Sequence, residues 1–355
     1  MYLDEYEKFN ELDPENMLAQ IEGLPKQLLE ARELGLSQDL PAWSGIRQVL
    51  VAGMGGSAIG ADLVAAYAAS ESKAPIIVHR DYGLPAWARG AETLVIACSH
   101  SGNTEETLSA FNAAMENGCK RLVITTGGKL AQAAGSAGVP IWRFEHHGQP
   151  RAAVGYSFGL LLAILVRMGF LTDPLDELRA AVQAMQTQQK ELRADRPTTQ
   201  NPAKRMAGQL MGRWVTVIGS GILAPVARRW KGQISEIAKA WAQFEFLPEA
   251  NHNTLAGISN PEELFERAIT IFLRAPSDHG RNRLRCELTR KSFMQEGLNT
   301  DFVDARGETR LAHLWTCLHF GDYVAYYLAM SYDVDPTPVA SIENFKREMR
   351  AAGED

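Results

Sequence analysis

Ten consecutive residues, Cys98-Ser99-His100-Ser101-Gly102-Asn103-Thr104-Glu105-Glu106-Thr107, gather hydroxyl groups at a point where a backbone can offer free amides. Glu92 to Ala97, just before them, is a short β-branched run that reads as a buried strand; Leu108 to Asn117, just after, reads as an apolar-periodic helix. A loop from a strand's carboxyl end to a helix's amino end directs unpaired N–H groups and the positive end of the helix dipole at one spot. Ser99, Ser101 and Thr104 alternate along it, and Gly102 lets the backbone approach closely, a set that suits the oxygens of a phosphate monoester. Ordinary N-capping by Ser101 or Asn103 would need one such residue rather than several. A second loop, Gly53-Met54-Gly55-Gly56-Ser57-Ala58-Ile59-Gly60, invites a dinucleotide reading. The G-x-G-x-x-G fingerprint requires glycine where Ala58 stands, and only Asp81 offers the acid expected after the second strand. The amides of Gly55 and Gly56 and the Ser57 hydroxyl are therefore expected to face a sugar phosphate.

Those loops need strands and helices to hold them. Read in order, Asp13-Pro14 opens a helix carrying Met17, Ile21, Leu24 and Leu28, bent near Pro25. Strands follow at Gln48 to Ala52, Pro75 to His79, Thr93 to Ala97, Arg121 to Thr126 and Pro140 to Phe144. Helices alternate with them at Ala58 to Ala69, Thr104 to Gly118 and Leu130 to Ala137. The strands are continuous Val/Ile/Leu runs, as in a parallel sheet covered on both faces, so this half is expected to be a doubly wound α/β domain. Ala152 to Phe170 reads as a buried helix, and Pro174 to Arg196 as a polar amphipathic one ending at a turn, Arg196 to Pro202, that marks a seam. The pattern then repeats: Val215-Thr-Val-Ile-Gly-Ser-Gly221 echoes Val49-Leu-Val-Ala-Gly-Met-Gly-Gly-Ser57. Later strands are expected at Ala268 to Arg274 and Thr300 to Asp304, with helices at Arg281 to Gln295 and Leu311 to Tyr332. Two domains follow, residues 1–172 and 173–355.

Composition narrows the class. Across 355 residues, 36 basic against 42 acidic side chains give a net charge of −6, which argues against a general nucleic-acid binder. The four cysteines, Cys98, Cys119, Cys286 and Cys317, lack CxxC spacing and read as small apolar core residues. The acidic amino terminus has no signal-peptide pattern, and the apolar run from Ala152 to Val166 is too short to cross a bilayer; a soluble, cytoplasmic protein is expected. Neither HExxH nor a Cys/His ligand cluster is visible, so neither metal nor cofactor is expected.

Four further residues could carry chemistry, each with a plainer reading. Glu236 lies on a helix rich in Ala, Ile and Trp, which would raise its basicity, yet by spacing it could pair with Lys231 or Lys239. His252 lies between two asparagines in a turn, where local capping would account for it. Arg151 follows Pro150 at a helix start, where a cation opposes the dipole; Lys346 alone would be a solvated helix face.

The two loops together, Gly-Gly-Ser and Ser-x-Ser-Gly-Asn-Thr-Glu-Glu-Thr, resemble the sugar isomerase (SIS) domain. Two such domains, with Pro150-Arg151 in the first, resemble the bifunctional phosphoglucose/phosphomannose isomerases. Trp230-Lys-Gly-Gln-Ile-Ser-Glu236-Ile-Ala-Lys239, Pro248-Glu-Ala-Asn-His252-Asn253 and Asp335-Pro-Thr-Pro-Val-Ala-Ser-Ile-Glu-Asn-Phe-Lys346 extend the match from about Val49 to Lys346. His100 departs from it where an aromatic is common, as do Ser235 and Ile237 in place of asparagines. The resemblance implies two SIS-type α/β domains and metal-free interconversion of glucose 6-phosphate and mannose 6-phosphate with fructose 6-phosphate. It implies Glu236 as the proton-transfer base, His252 and Lys346 as ring-opening groups, and Arg151 beside the enediolate. Ser57, Ser99, Ser101 and Thr104 would hold the phosphate, and a homodimer would contribute His252 across its interface. The alternatives are an isomerase of another sugar phosphate and a non-catalytic SIS regulator; the latter is disfavoured by the lack of a helix-turn-helix or basic face.

Overall fold

The computed structural model describes residues 3–353; Met1 and Tyr2, part of the acidic amino-terminal stretch, lie outside them. The chain begins with α1 (Phe9–Leu12), α2 (Met17–Glu22) and α3 (Leu24–Ser37). It continues through β1 (Gln48–Ala52), α4 (Gly55–Ala68), β2 (Ile76–His79), β3 (Thr93–Ser99), α5 (Glu105–Glu116), β4 (Lys120–Thr125), α6 (Gly128–Ser136) and β5 (Ile141–Arg143). Three helices follow, α7 (Val154–Arg167), α8 (Leu175–Leu192) and α9 (Pro202–Leu210). The rest comprises β6 (Trp214–Ser220), α10 (Ala224–Glu236), β7 (Ala242–Leu247), β8 (Ala268–Arg274), α11 (Gly280–Gln295), β9 (Asn299–Asp304), α12 (Arg310–Ser331) and α13 (Ala340–Ala352).

Both sheets are wholly parallel. The first has the order β2-β1-β3-β4-β5 and the second β7-β6-β8-β9, so the second repeats the arrangement of the first four strands. Every residue of β3 is buried, as its unbroken apolar run requires when helices cover both faces. In each sheet the strand order reverses beside the first strand, between β1 and β3 and between β6 and β8. Such a switch point opens a crevice at the strands' carboxyl ends.

The helix expected to bend near Pro25 is two helices, broken at Gly23 with Pro25 in the first turn of α3. Asp13 does not open a helix directly: its carboxylate accepts the amides of Met17 and Leu18 at 2.7 and 3.1 Å, and Asn16 is the N-cap of α2. Sequence reading passed over β7 and α9. In α9, Asn201 caps the amides of Ala203 and Lys204 with Pro202 at the first position, a start signal that reads equally as a turn.

One apolar core joins the two sheets. α12 is its centre, with Leu311 to Met330 all buried against α8, α9 and α10. No helix among the described residues is long and apolar enough to cross a membrane. Across the seam α10 packs on α4, and Arg228 of α10 meets Asp62 of α4 at 2.9 Å. Farther along α10, Arg229 is buried in a two-point contact with Asp322 of α12, its closer bond 2.8 Å. These contacts hold α10, and therefore Glu236 at its last turn, in a fixed position relative to the first sheet.

Candidate active site

The crevice between β1 and β3 is built from two helix amino ends. α4 begins at Gly55 after Met54, α5 begins at Glu105 after Thr104, and neither N-cap side chain bonds to its own helix. The Ser57 amide of α4 turns back to the Met54 carbonyl at 3.2 Å, while at these two adjacent helix starts the first two amides of each helix take no side-chain cap. Thr104 is drawn instead to Ser99, hydroxyl to hydroxyl at 2.9 Å, while Ser99 Oγ also accepts the Gly102 amide at 3.1 Å. Ser101 is exposed and accepts the Asn103 amide at 3.2 Å. Gly102 has φ +67°, and a Cβ there would come 1.8 Å from the Gly127 carbonyl oxygen, so only glycine fits. Ser57 is buried in the first turn of α4. Gly55, Gly56, Ser57, Ser99, Ser101 and Thr104 are therefore grouped at the carboxyl ends of the paired strands β1 and β3, an arrangement suited to a phosphate dianion.

The same crevice abuts the candidate catalytic pair. A Cβ on Gly56 would lie 2.8 Å from the Pro150 carbonyl oxygen, so this loop rests directly on Pro150 and Arg151. Arg151 does not begin a helix, as the sequence suggested; it sits in a separate 3₁₀ turn, Pro150–Ala152, ahead of α7. Only 4 % exposed, its guanidinium is held by carbonyls rather than opposed by a dipole. Nη2 donates to Pro336 at 3.0 Å and to Thr337, Nη1 donates to Gln149 Oε1 at 3.3 Å, and Nε has no protein partner. Burial lowers its pKa, with Glu236 opposing that shift.

Glu236 closes α10, and its carboxylate stands 3.8 Å from Arg151 Nη1. That separation is an ion pair without a direct hydrogen bond, which leaves the carboxylate oxygens available to a reacting group. Neither lysine expected as its surface partner takes that place: Lys239 bonds to the Glu236 backbone carbonyl instead, at 2.6 Å.

His252 and Lys346 stand apart. His252 is exposed beyond a 3₁₀ turn, Glu249–Asn251, and Lys346 is on α13, none of whose residues is buried; neither side chain is hydrogen-bonded. The isolated chain thus brings the two helix starts close to Arg151 and Glu236, but does not bring the two ring-opening candidates to them.

Sequence reading missed the polar wall beside the crevice. His100 Nε2 meets His146 Nδ1 at 3.1 Å, and both rings pack edge-on with aromatic neighbours, Phe144 and Tyr156. Burial, then the neighbouring imidazole, pushes the His100 pKa down to about 4, so the ring at the serine loop is neutral near pH 7. Carbonyl groups at Pro336 and Thr337 were equally invisible, since backbone acceptors carry no residue signature.

The doubled parallel α/β fold and its crevice define a class of proteins, the SIS-type phosphosugar folds. A hypothetical protein from Thermus thermophilus superposes with a TM-score of 0.73 at 17% identity, over 99% of this chain and 95% of that one. A tagatose-6-phosphate ketose/aldose isomerase from Escherichia coli gives 0.66 at 16%, over 90% and 94% respectively. Within that class, residues 199–349 match the family described as bacterial phospho-glucose isomerase C-terminal SIS domain. A bifunctional phosphoglucose/phosphomannose isomerase from Caldicellulosiruptor bescii is 37% identical over 336 residues, covering 94% of this chain and 98% of the relative. The chain belongs to the bifunctional phosphoglucose/phosphomannose isomerase family.

Proposed function

We propose a division of labour among these residues for the family's reaction. The protein is an aldose–ketose isomerase that interconverts glucose 6-phosphate and mannose 6-phosphate with fructose 6-phosphate. The phosphate sits on the amino ends of α4 and α5, held by Ser57, Ser99, Ser101 and Thr104 with the Gly55 and Gly56 amides. Glu236 takes the C2 proton of the open-chain aldose and returns it to C1, while a proton passes between O1 and O2. The intermediate is a cis-enediol that has lost its configuration at C2, so both aldose epimers reach the same ketose through it. Arg151, with Nη1 on the carboxylate's side and Nε unpartnered, supplies the donors for the developing enediolate, and neither metal nor cofactor takes part. His252 and Lys346 open the sugar ring, with His252 contributed by the second subunit of a homodimer.

One observation carries this reading. Two neighbouring helix starts lack side-chain caps, and the first of them rests at Gly56 on Pro150 beside the Arg151–Glu236 pair, which supports an anion anchor and a base in one site. A coupled assay on both aldose phosphates, with EDTA present, tests it. Turnover of both is expected. Conversion of neither would overturn the reading, and activity lost to EDTA but restored by Zn²⁺ or Mn²⁺ would overturn its metal-free chemistry.

A further inference from the structure

Lys239 adopts a backbone conformation that a residue with a side chain seldom takes, φ +55°, three residues past the end of α10. Glycine or asparagine is usual where a helix ends in this left-handed turn. The lysine side chain folds back, and all three donors of its ammonium are used on carbonyl oxygens: Glu236 at 2.6 Å, Ile237 at 3.3 Å and Pro336 at 3.3 Å. Two of those bonds cap the helix end, as a cation at a carboxyl terminus should. The third does not. It crosses to Pro336, whose carbonyl also accepts from Arg151 Nη2 at 3.0 Å.

Two cations, one from each half of the chain, thus meet on a single carbonyl. Through it the backbone of Glu236 is tied to the guanidinium that its own carboxylate faces at 3.8 Å. We propose that Lys239 is a positioning residue for isomerisation, its ammonium fixing the backbone of Glu236 relative to Arg151 by way of the shared Pro336 carbonyl. The proposal rests on the base and enediolate roles given above to Glu236 and Arg151. A merely structural cap would stabilise α10 without affecting turnover. A positioning peg sets the reach of the base, and displacement by about 1 Å at a reacting centre lowers turnover by roughly 10²-fold.

The charged groups that face Lys239 are Arg151 in its 3₁₀ turn, Asp335 beside Pro336 and Glu236 on α10. Burial, then the like charge of Arg151, brings the Lys239 pKa down to about 8, against the pull of Asp335 and Glu236. The protonated form makes the three bonds, so the proposal places a loss of kcat on the alkaline side of about pH 8.

The test compares full-length wild type, Lys239→Gly and Lys239→Arg by kcat and KM for fructose 6-phosphate against pH, with Tm alongside. Glycine accepts the left-handed backbone, so the first variant should fold with little change in Tm. Its kcat should fall about 10–100-fold with KM within about threefold. Arginine keeps its charge well above pH 10, so Lys239→Arg should recover much of the lost kcat and move the alkaline limb up by a pH unit or more. Wild-type turnover decides the isomerase reading by itself; the Lys239 proposal is read from the variants relative to wild type. A Lys239→Gly enzyme with wild-type kcat overturns it. So does a Lys239→Arg enzyme that turns over normally with its alkaline limb unmoved.

Discussion

Glu236→Gln separates the chemistry of the site from its electrostatics. The amide keeps the shape of the side chain but cannot accept a proton from C2. Loss of a positioned general base costs about 10²–10⁴-fold in kcat, or roughly 3–5 kcal/mol of barrier at 1.36 kcal/mol per decade. A competing effect is loss of the counter-charge to Arg151, which is 4 % exposed. At the observed 3.8 Å, two unit charges attract by roughly 4 kcal/mol if the effective dielectric constant is about 20. The carboxylate side chain keeps 32% of its surface exposed, so solvent screens most of that attraction and a net loss of about 1 kcal/mol is expected. In a chain this long that shifts Tm by only about 2 °C. Turnover should therefore collapse while the fold and KM barely change. The assay is dehydrogenase-coupled turnover of fructose 6-phosphate beside solvent-deuterium incorporation at C1 and C2, with Tm on the same preparation. If the glutamine variant exchanges the proton at close to the wild-type rate, Glu236 is not the base. Glu245, which accepts from the Thr254 hydroxyl, and Glu249, which accepts from Asn253, would then be the carboxylates to test.

Three other outcomes are expected. Ser101→Ala with Thr104→Ala removes two hydroxyls from the loop; at about 1.5–3 kcal/mol for each hydrogen bond to a charged group, about 3–6 kcal/mol for the two, KM should rise about a hundredfold or more with little change in kcat. An unchanged KM would exclude that loop as the phosphate site. If His252 acts across a dimer interface, mixing inactive Glu236→Gln with His252→Ala chains should restore about a quarter of wild-type activity, since half the dimers are mixed and each holds one intact site. No recovery after verified subunit exchange would place His252 elsewhere. Finally, His100 has a folded pKa of about 4 against about 6.5 unfolded, so between those values the unfolded chain binds more protons and stability falls as pH falls. His100→Phe keeps an aromatic against Phe144 and should flatten the Tm–pH curve over that window; an unchanged slope would refute the assignment. His319, also held near 4 by burial, and His146, lowered by burial, contribute the remaining slope of the same sign, opposed by Asp278, which burial raises to about 6.

Much of this protein is legible in local pattern. The β-branched runs that became β1, β3 and β4 are apolar on both faces, and burial on both faces is what a parallel sheet does to such a run. The serine loop and the Gly-Gly-Ser loop are short, and their backbone amides lie within a few residues, so sequence alone picks out the two helix starts. The echo of Val49–Ser57 in Val215–Gly221 likewise foretold a repeated α/β unit, although the strand order that the second sheet shares with the first four strands of the first was not legible in it. Pattern failed at β7, an edge strand where Gln243 and Glu245 break the apolar run and only the end residues Ala242 and Leu247 are buried.

The geometry of the Arg151–Glu236 pair is of another kind. Arg151 and Glu236 are 85 positions apart, and nothing in either segment specifies 3.8 Å between them. That distance is set by the packing of α10 on α4, by the buried Arg229–Asp322 pair and by two carbonyls at Pro336 and Thr337 that every residue type could supply. Local sequence determines which groups are present and which way a helix start points. Where a buried guanidinium finds its acceptors is decided only when the chain closes, because desolvating that charge is tolerable only with distant carbonyls and a carboxylate already in place.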